Sequence, residues 1–144
     1  HTAVQVLNDV AFPNGVVLSR DEKILYLNNT NGEYLIAFDV KPDGSLTKRR
    51  NFAQYQGVTK NASGAMVSGA DGITIDNDGR LYVATTIGVQ VFGVDGKHLG
   101  TIPLSRPPQN LAFAGKDKKT LYVVGRGVAF QVQTIAQGFT GRAK

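Results

Sequence analysis

The amino-acid sequence predicts an all-β fold, a partial β-propeller of about three four-stranded antiparallel blades. Three similar stretches begin at Pro13-Asn14-Gly15, Ala70-Asp71-Gly72 and Gln109-Asn110-Leu111, and each continues through an apolar strand and a turn to a Leu-Tyr strand. The tyrosine follows the leading Asn or Asp by 12, 11 and 12 residues. No segment of useful length has a helical period. Four-stranded meanders that recur every ~40–50 residues are typical of propeller blades.

The first blade is predicted over residues 9–55. Its strands are expected where apolar and β-branched residues cluster between turn signals, at residues 16–18, 24–27, 34–40 and 46–52. The segment Lys41-Pro42-Asp43-Gly44-Ser45 places Pro and Gly as a tight turn requires. Residues 1–8 are predicted to supply the outer strand of a preceding blade, with the strand itself at residues 3–7.

Two further blades are predicted, at residues 70–104 and, in incomplete form, at residues 105–134. Asp95-Gly96 lies between apolar alternations and is a strong hairpin signal. The expected strands are residues 73–75, 81–84, 89–94, 99–102, 111–113, 120–124 and 128–134. Residues 56–69 are predicted to be a loop of small and polar residues, long enough to reach over a neighbouring surface. Residues 135–144 are predicted to be a tail without a fourth strand.

Composition excludes several classes of function. The 144 residues are 42% hydrophobic and 19% charged, as in a globular domain, and no apolar run approaches the ~18 residues of a membrane helix. The formal net charge of +5 comes from dispersed residues, so neither nucleic acid nor membrane is expected as a partner. With no cysteine and two histidines, thiolate and histidine-rich metal sites are not expected. We expect a soluble protein, and the absence of cysteine suits the cytoplasm and the periplasm alike.

Three repeated polar residues form the candidate site. Equivalent positions of successive blades face one axis, so Asn14, Asp71 and Asn110 are expected to converge there. One carboxylate and two amide oxygens suit a hard cation such as calcium. The alternative is that Asn and Asp only cap turns before strands. At the far ends of the second strands, Asn28, Asn29 and Thr30 could line a pocket mouth or form an ordinary strand-end turn. Arg126 could meet an anionic substrate or lie on the surface.

The motifs that carry these residues resemble a known family. Phe12-Pro13-Asn14-Gly15-Val16, followed by residues 18–26, is similar to the "PNG…SPDEKTLY" stretch of the senescence marker protein / gluconolactonase / luciferin-regenerating enzyme family. Asp71-Gly72-Ile73 with Leu81-Tyr82-Val83-Ala84 is similar to its "DGM…LYVA" stretch. The resemblance implies a six-bladed propeller with one divalent cation on its axis, and an enzyme that opens sugar lactones or related cyclic esters.

The resemblance also implies roles for individual residues. Asn14 matches a metal-binding Asn, and Asp71 matches a metal-binding Asp that is also the proposed general base. Asn29 and Asn110 match positions near the substrate pocket. Oxygen ligands favour calcium, with zinc or magnesium as alternatives.

The chain departs from the family pattern in one large respect. It resembles only the carboxy-terminal half, and the family's amino-terminal metal-binding Glu and an earlier pocket Asn have no counterpart here. The isolated chain is therefore predicted to be a poor lactonase that needs the missing amino-terminal half or a second copy of itself. The alternative function is a non-catalytic ligand- or protein-binding propeller with a structural ion.

Overall fold

A computed structural model of the chain describes residues 2–141, and the described residues form an all-β structure. Three antiparallel sheets follow one another along the chain, each a meander of neighbouring strands. The first sheet contains β1 (Pro13–Leu18), β2 (Ile24–Asn29), β3 (Tyr34–Val40) and β4 (Leu46–Gln54). A small hairpin follows, with β5 (Thr59–Lys60) and β6 (Met66–Val67). The second sheet contains β7 (Ile73–Ile75), β8 (Leu81–Thr85), β9 (Gly88–Phe92) and β10 (His98–Ile102), and the third contains β11 (Asn110–Ala114), β12 (Thr120–Gly125) and β13 (Val128–Gln133).

The three sheets, which we call blades 1, 2 and 3, confirm the all-β, partial-propeller prediction. Two segments differ from the sequence-based expectation. Residues 3–7 form no strand, since no strand of the described residues pairs with them. Residues 56–69 are not a plain loop, since β5 and β6 pair within them. No helix of the described residues is long and apolar enough to cross a membrane.

The first strands of the blades lie side by side. Strand β1 contacts β7, and β7 contacts β11. Two backbone hydrogen bonds join the chain at the starts of these inner strands, from Gly15 N to Asp71 O at 3.0 Å and from Gly72 N to Gln109 O at 2.8 Å, and the donors Gly15 and Gly72 occupy equivalent positions. A Cβ on Gly15 would lie 2.2 Å from the Asp71 carbonyl oxygen, and one on Gly72 would lie 2.4 Å from Oδ1 of Asn110. The glycines are required because the blades meet backbone to backbone here.

Burial along the strands shows how the blades pack. Every residue of β8 is buried, because blade 2 has a neighbour on both faces. Strand β12 alternates between buried and exposed residues, so one face of blade 3 is open to solvent. That open face presents Tyr122 and Val124, which are 46% and 45% exposed. Two apolar clusters fill the spaces between the blades, one centred on Leu35, Tyr55, Ile73, Val83 and Phe92 and the other on Tyr82, Val89, Leu111, Leu121 and Val123.

The segment after β13 forms no fourth strand in the described residues, but it packs against the blades. Gly138 makes an isolated antiparallel bridge with Asp76 and donates its N–H to Lys118 O at 2.8 Å. Phe139 N donates to Ile75 O at 3.2 Å. Residues 135–141 therefore tie the β7–β8 turn to the β11–β12 turn, at the end of the inner strands that lies away from Asp71.

Candidate active site at the starts of the inner strands

The structure brings the predicted pair Asn14 and Asp71 together. Asn14 lies on β1 and Asp71 lies two residues before β7. Gly15, which follows Asn14, donates its N–H to Asp71 O at 3.0 Å, and the side-chain amide of Asn14 lies close enough to lower the pKa of the Asp71 carboxyl. The same amide nitrogen reaches Thr30 Oγ1 at 3.2 Å, and that hydroxyl donates to Ala70 O at 2.7 Å. The two side chains thus face each other across the junction of blades 1 and 2. That the two side chains hold one cation stays a prediction.

The Asp71 carboxylate is electrostatically unusual. Burial raises its pKa above the ordinary value, and the hydrogen bond from Asn14 and the attraction of Arg126 oppose that rise. Within residues 2–141 Asp71 forms no salt bridge. A partly desolvated carboxylate without an ion-pair partner is a candidate proton acceptor or cation ligand.

The backbone of Asp71 is held by a buried side chain whose supporting role the sequence did not predict. Asn28 is fully buried, and its Nδ2 donates to Asp71 O at 2.6 Å. Its Oδ1 accepts a hydrogen bond from the hydroxyl of Tyr55 at 2.9 Å. Burial strongly raises the pKa of Tyr55, so the phenol stays protonated and remains a donor. The Asp71 carbonyl therefore has two donors from blade 1, Asn28 and the backbone of Gly15.

The two remaining predicted residues lie at the same end of the inner strands, but their side-chain oxygens are engaged. Asn29 Oδ1 accepts the backbone N–H of Phe12 at 3.1 Å. Asn110 Oδ1 accepts the N–H of Leu111 at 2.9 Å. Each of these side-chain amides therefore stabilises the backbone close to it. Contact of either residue with substrate stays a prediction.

The side-chain oxygens of Asn14 and Asp71 are of the type that a hard cation prefers, but they are too few to fill its coordination shell. The Asp71 carboxylate is available, and Asn14 Oδ1 accepts no hydrogen bond within residues 2–141. Calcium takes about six to eight oxygens. The described residues contain no group of three or more His, Cys, Asp or Glu side chains that could hold a metal ion. Asn14 and Asp71 therefore supply at most two of the oxygens that such a cation requires.

A cleft of about 440 Å³ lies at the opposite end of the inner strands. Its walls include Ser19 in the β1–β2 turn, Gly79 in the β7–β8 turn and the ring of Phe139. Asp71 and Asn14 are not among its lining residues. The cleft is a consequence of turn packing and does not belong to the candidate active site.

Removal of the Tyr55 hydroxyl tests whether Tyr55 holds Asn28, the side chain that binds the Asp71 carbonyl oxygen. Tyr55→Phe leaves Asn28 Oδ1 buried without its donor, so we expect the free energy of unfolding to fall by about 1–2 kcal/mol. Chemical denaturation would measure the loss. Tyr26→Phe is the matched control, because Tyr26 is also buried in blade 1 but makes no hydrogen bond to the Asp71 support. Equal losses in the two variants would contradict the assignment of Tyr55 as the donor that holds Asn28.

Comparison with known proteins identifies the family of the chain. The family described as "SMP-30/Gluconolactonase/LRE-like region" matches residues 1–126. A gluconolactonase from Zymomonas mobilis is 29% identical over 85% of this chain and 35% of its own length. The structure of a gluconolactonase from Xanthomonas campestris is 30% identical, with a TM-score of 0.73 over 88% of this chain and 39% of that protein.

A second solved structure shows the fold alone. A regucalcin from Agrobacterium tumefaciens, described as a calcium-binding protein, superposes with a TM-score of 0.79 at 20% identity over 94% of this chain and 50% of its own. The chain thus spans half or less of the length of these relatives. With the sequence motifs, the three propeller blades and the family match in agreement, the chain belongs to the SMP-30/gluconolactonase/luciferin-regenerating enzyme family.

Proposed function

We propose that this chain forms part of a metal-dependent lactone hydrolase that opens a sugar lactone or a related cyclic ester. The single observation that carries the proposal is the Asn14–Asp71 pair, in which a partly buried carboxylate and an amide meet at the junction of two blades. The gluconolactonases among the relatives support lactones as the substrate class.

Asp71 is the proposed general base. Its carboxylate takes a proton from a water molecule while the water oxygen bonds to the lactone carbonyl carbon. The ring C–O bond then breaks, and the proton passes to the departing oxygen, which leaves a hydroxy acid. A divalent cation held by Asp71 and Asn14 would polarise the carbonyl and acidify the water. Calcium is the first candidate because the donors are oxygens, and zinc and magnesium are the alternatives.

We further propose that activity requires the rest of the propeller. Blade 3 leaves Tyr122 and Val124 exposed, and blade 1 leaves Val16 52% exposed on β1. A sheet face that is buried in a full ring is unstable in water when bare. The missing amino-terminal half, or a second copy of this chain, would cover these faces and add oxygen ligands opposite Asp71.

The test is an assay of lactone hydrolysis by the chain alone and by the chain mixed with a separately produced amino-terminal half of a relative, each with and without added calcium. We expect little activity from the chain alone, and a gain on mixing that a chelator removes. Size-exclusion chromatography of the chain alone would show whether a second copy binds instead. Full activity from the monomeric chain would refute the requirement for a second half.

A further inference from the structure

Two arginines lie at the same end of the blades as Asp71. Arg126 is exposed in the two-residue turn between β12 and β13, and Arg106 is exposed in the segment before β11. Arg106 Nη1 donates to the carbonyl oxygen of Arg126 at 3.1 Å, so the two chain segments meet at one corner. The guanidinium of Arg106 therefore lies against the turn that carries Arg126, and we call these two exposed arginines, Arg106 and Arg126, the arginine corner.

The arginine corner is tied to the candidate active site through one residue. Gln109 Oε1 accepts the backbone N–H of Arg126 at 3.1 Å, and Gln109 O accepts the N–H of Gly72 at 2.8 Å. Gly72 follows Asp71 directly. Because both bonds are made by Gln109, the turn that carries Arg126 and the backbone that carries Asp71 are held in a fixed relation. The attraction of Arg126 for the Asp71 carboxylate agrees with this placement.

Neither arginine forms a salt bridge with a described residue. Within residues 2–141 no carboxylate lies within 4.0 Å of the guanidinium of Arg106 or Arg126. By contrast, Arg49, Arg50 and Arg80 are all in salt bridges. A guanidinium presents a planar set of donors that matches carboxylate, sulfonate and phosphate groups.

The backbone at Arg126 adds a second observation. Its φ is +50° and that of Gly127 is +78°, the geometry of a tight hairpin turn in which Asn-Gly or Gly is preferred. An arginine at the first position is conformationally costly. Three other described non-glycine residues have positive φ: Glu22 and Lys118 lie in turns at the other end of the blades, and Lys48 lies within β4. It is the combination of strain and placement beside Asp71 that distinguishes Arg126.

We propose that the substrate is an anionic sugar lactone, whose carboxylate, sulfonate or phosphate substituent is bound by the arginine corner while the ring lies over Asp71. This inference rests on the proposed function, since it names the substrate class of the same site. The anionic group is remote from the bond that is broken, so its binding positions the ring without taking part in the chemistry.

Binding of stable ring analogues to the full chain tests the proposal without turnover. Glucose, glucuronate and glucose 6-phosphate would be titrated into the isotopically labelled protein, with shifts of the Gln109, Arg126 and Gly127 amide signals as the readout. We expect both anionic sugars to bind about tenfold more tightly than glucose. Added salt should weaken only the anionic sugars.

Substitutions assign the effect to the arginine corner. Arg126→Gln and Arg106→Gln should each remove most of the preference for the anionic sugars and leave glucose unchanged. Arg20→Gln is the matched control, because Arg20 is an exposed arginine that lines the cleft at the opposite end of the inner strands. Equal affinities for all three sugars would overturn the proposal, as would a preference that survives in Arg126→Gln. Tight binding of inorganic phosphate alone, equal to that of glucose 6-phosphate, would also overturn it.

The lactone assay separates this inference from the proposed function. If the protein hydrolyses neutral gluconolactone and 6-phosphogluconolactone at equal kcat/KM, the proposal of an anionic substrate is refuted, whereas the proposed hydrolase function is retained. If the completed propeller binds the anionic sugars tightly but hydrolyses no lactone, the proposed anion binding by the arginine corner is retained and the proposed hydrolase function is refuted.

Discussion

Asp71→Asn is expected to abolish lactone hydrolysis by the completed propeller, with turnover lower by about 10²–10⁴-fold. The substitution keeps the size of the side chain and its contact with Asn14, but it removes the negative charge and the capacity to accept a proton from water. The measurement is the initial rate of lactone opening at saturating substrate. Because the Asp71 backbone bonds to Gly15 and Asn28 do not involve the side chain, the fold should remain intact.

A matched control makes this result specific to the site. Asp78→Asn removes a carboxylate from the same blade, but Asp78 is exposed at the other end and pairs with Arg80. It should leave turnover unchanged. Retention of full activity by Asp71→Asn would contradict its role as general base. If the completed propeller binds sugar lactones but opens none even with Asp71 intact, the protein is instead a non-catalytic binding propeller.

Gly15→Val is expected to destabilise the protein by about 3 kcal/mol, the upper end of the range for overpacking a close contact. Gly15 has no unusual φ in this structure, so the cost is steric rather than conformational. Its Cβ would lie 2.2 Å from the carbonyl oxygen of Asp71, and that oxygen is part of the backbone and cannot rotate away. The blades must separate, which breaks the Gly15–Asp71 hydrogen bond and moves Asp71 away from Asn14.

Thermal and chemical denaturation would measure the loss caused by Gly15→Val. Gly100→Val is the control, because a Cβ at Gly100 meets no heavy atom within 4 Å, and we expect a change within about 0.5 kcal/mol. An unchanged stability for Gly15→Val would mean that blades 1 and 2 are not in backbone contact at this point.

Most of the fold could be predicted because its signals are local. Alternating apolar residues and Asp-Gly turns define a hairpin within a dozen residues, and β3 and β7 occur with the predicted bounds. The β5–β6 hairpin was missed because its strands have two residues each, too few to give a period. Its tip is instead held by Asn61, whose Oδ1 accepts the N–H groups of Ser63 and Ala65.

Of the candidate site, the sequence predicted only the residues that recur at matched positions of successive blades. Asn14 and Asp71 occupy matched positions in successive blades, so the symmetry of the sequence indicates their meeting. Asn28 belongs to no repeated motif, and its partners Tyr55 and Asp71 are 27 and 43 residues away along the chain. Its one sequence signal is an amide at the end of an apolar strand, which occurs equally often in ordinary turns.

The paired hydrogen bonds at Asp71 and Gly72 have a mechanical consequence. Asp71 O is bound from blade 1, and the next residue donates its N–H to Gln109 at the start of blade 3. One peptide unit is thus fastened to both neighbours by bonds that tolerate only a few tenths of an ångström of sliding. These bonds therefore oppose sliding of the three blades past one another at this seam, and we expect any shape change that admits or releases a ligand to occur in the turns and the β5–β6 hairpin.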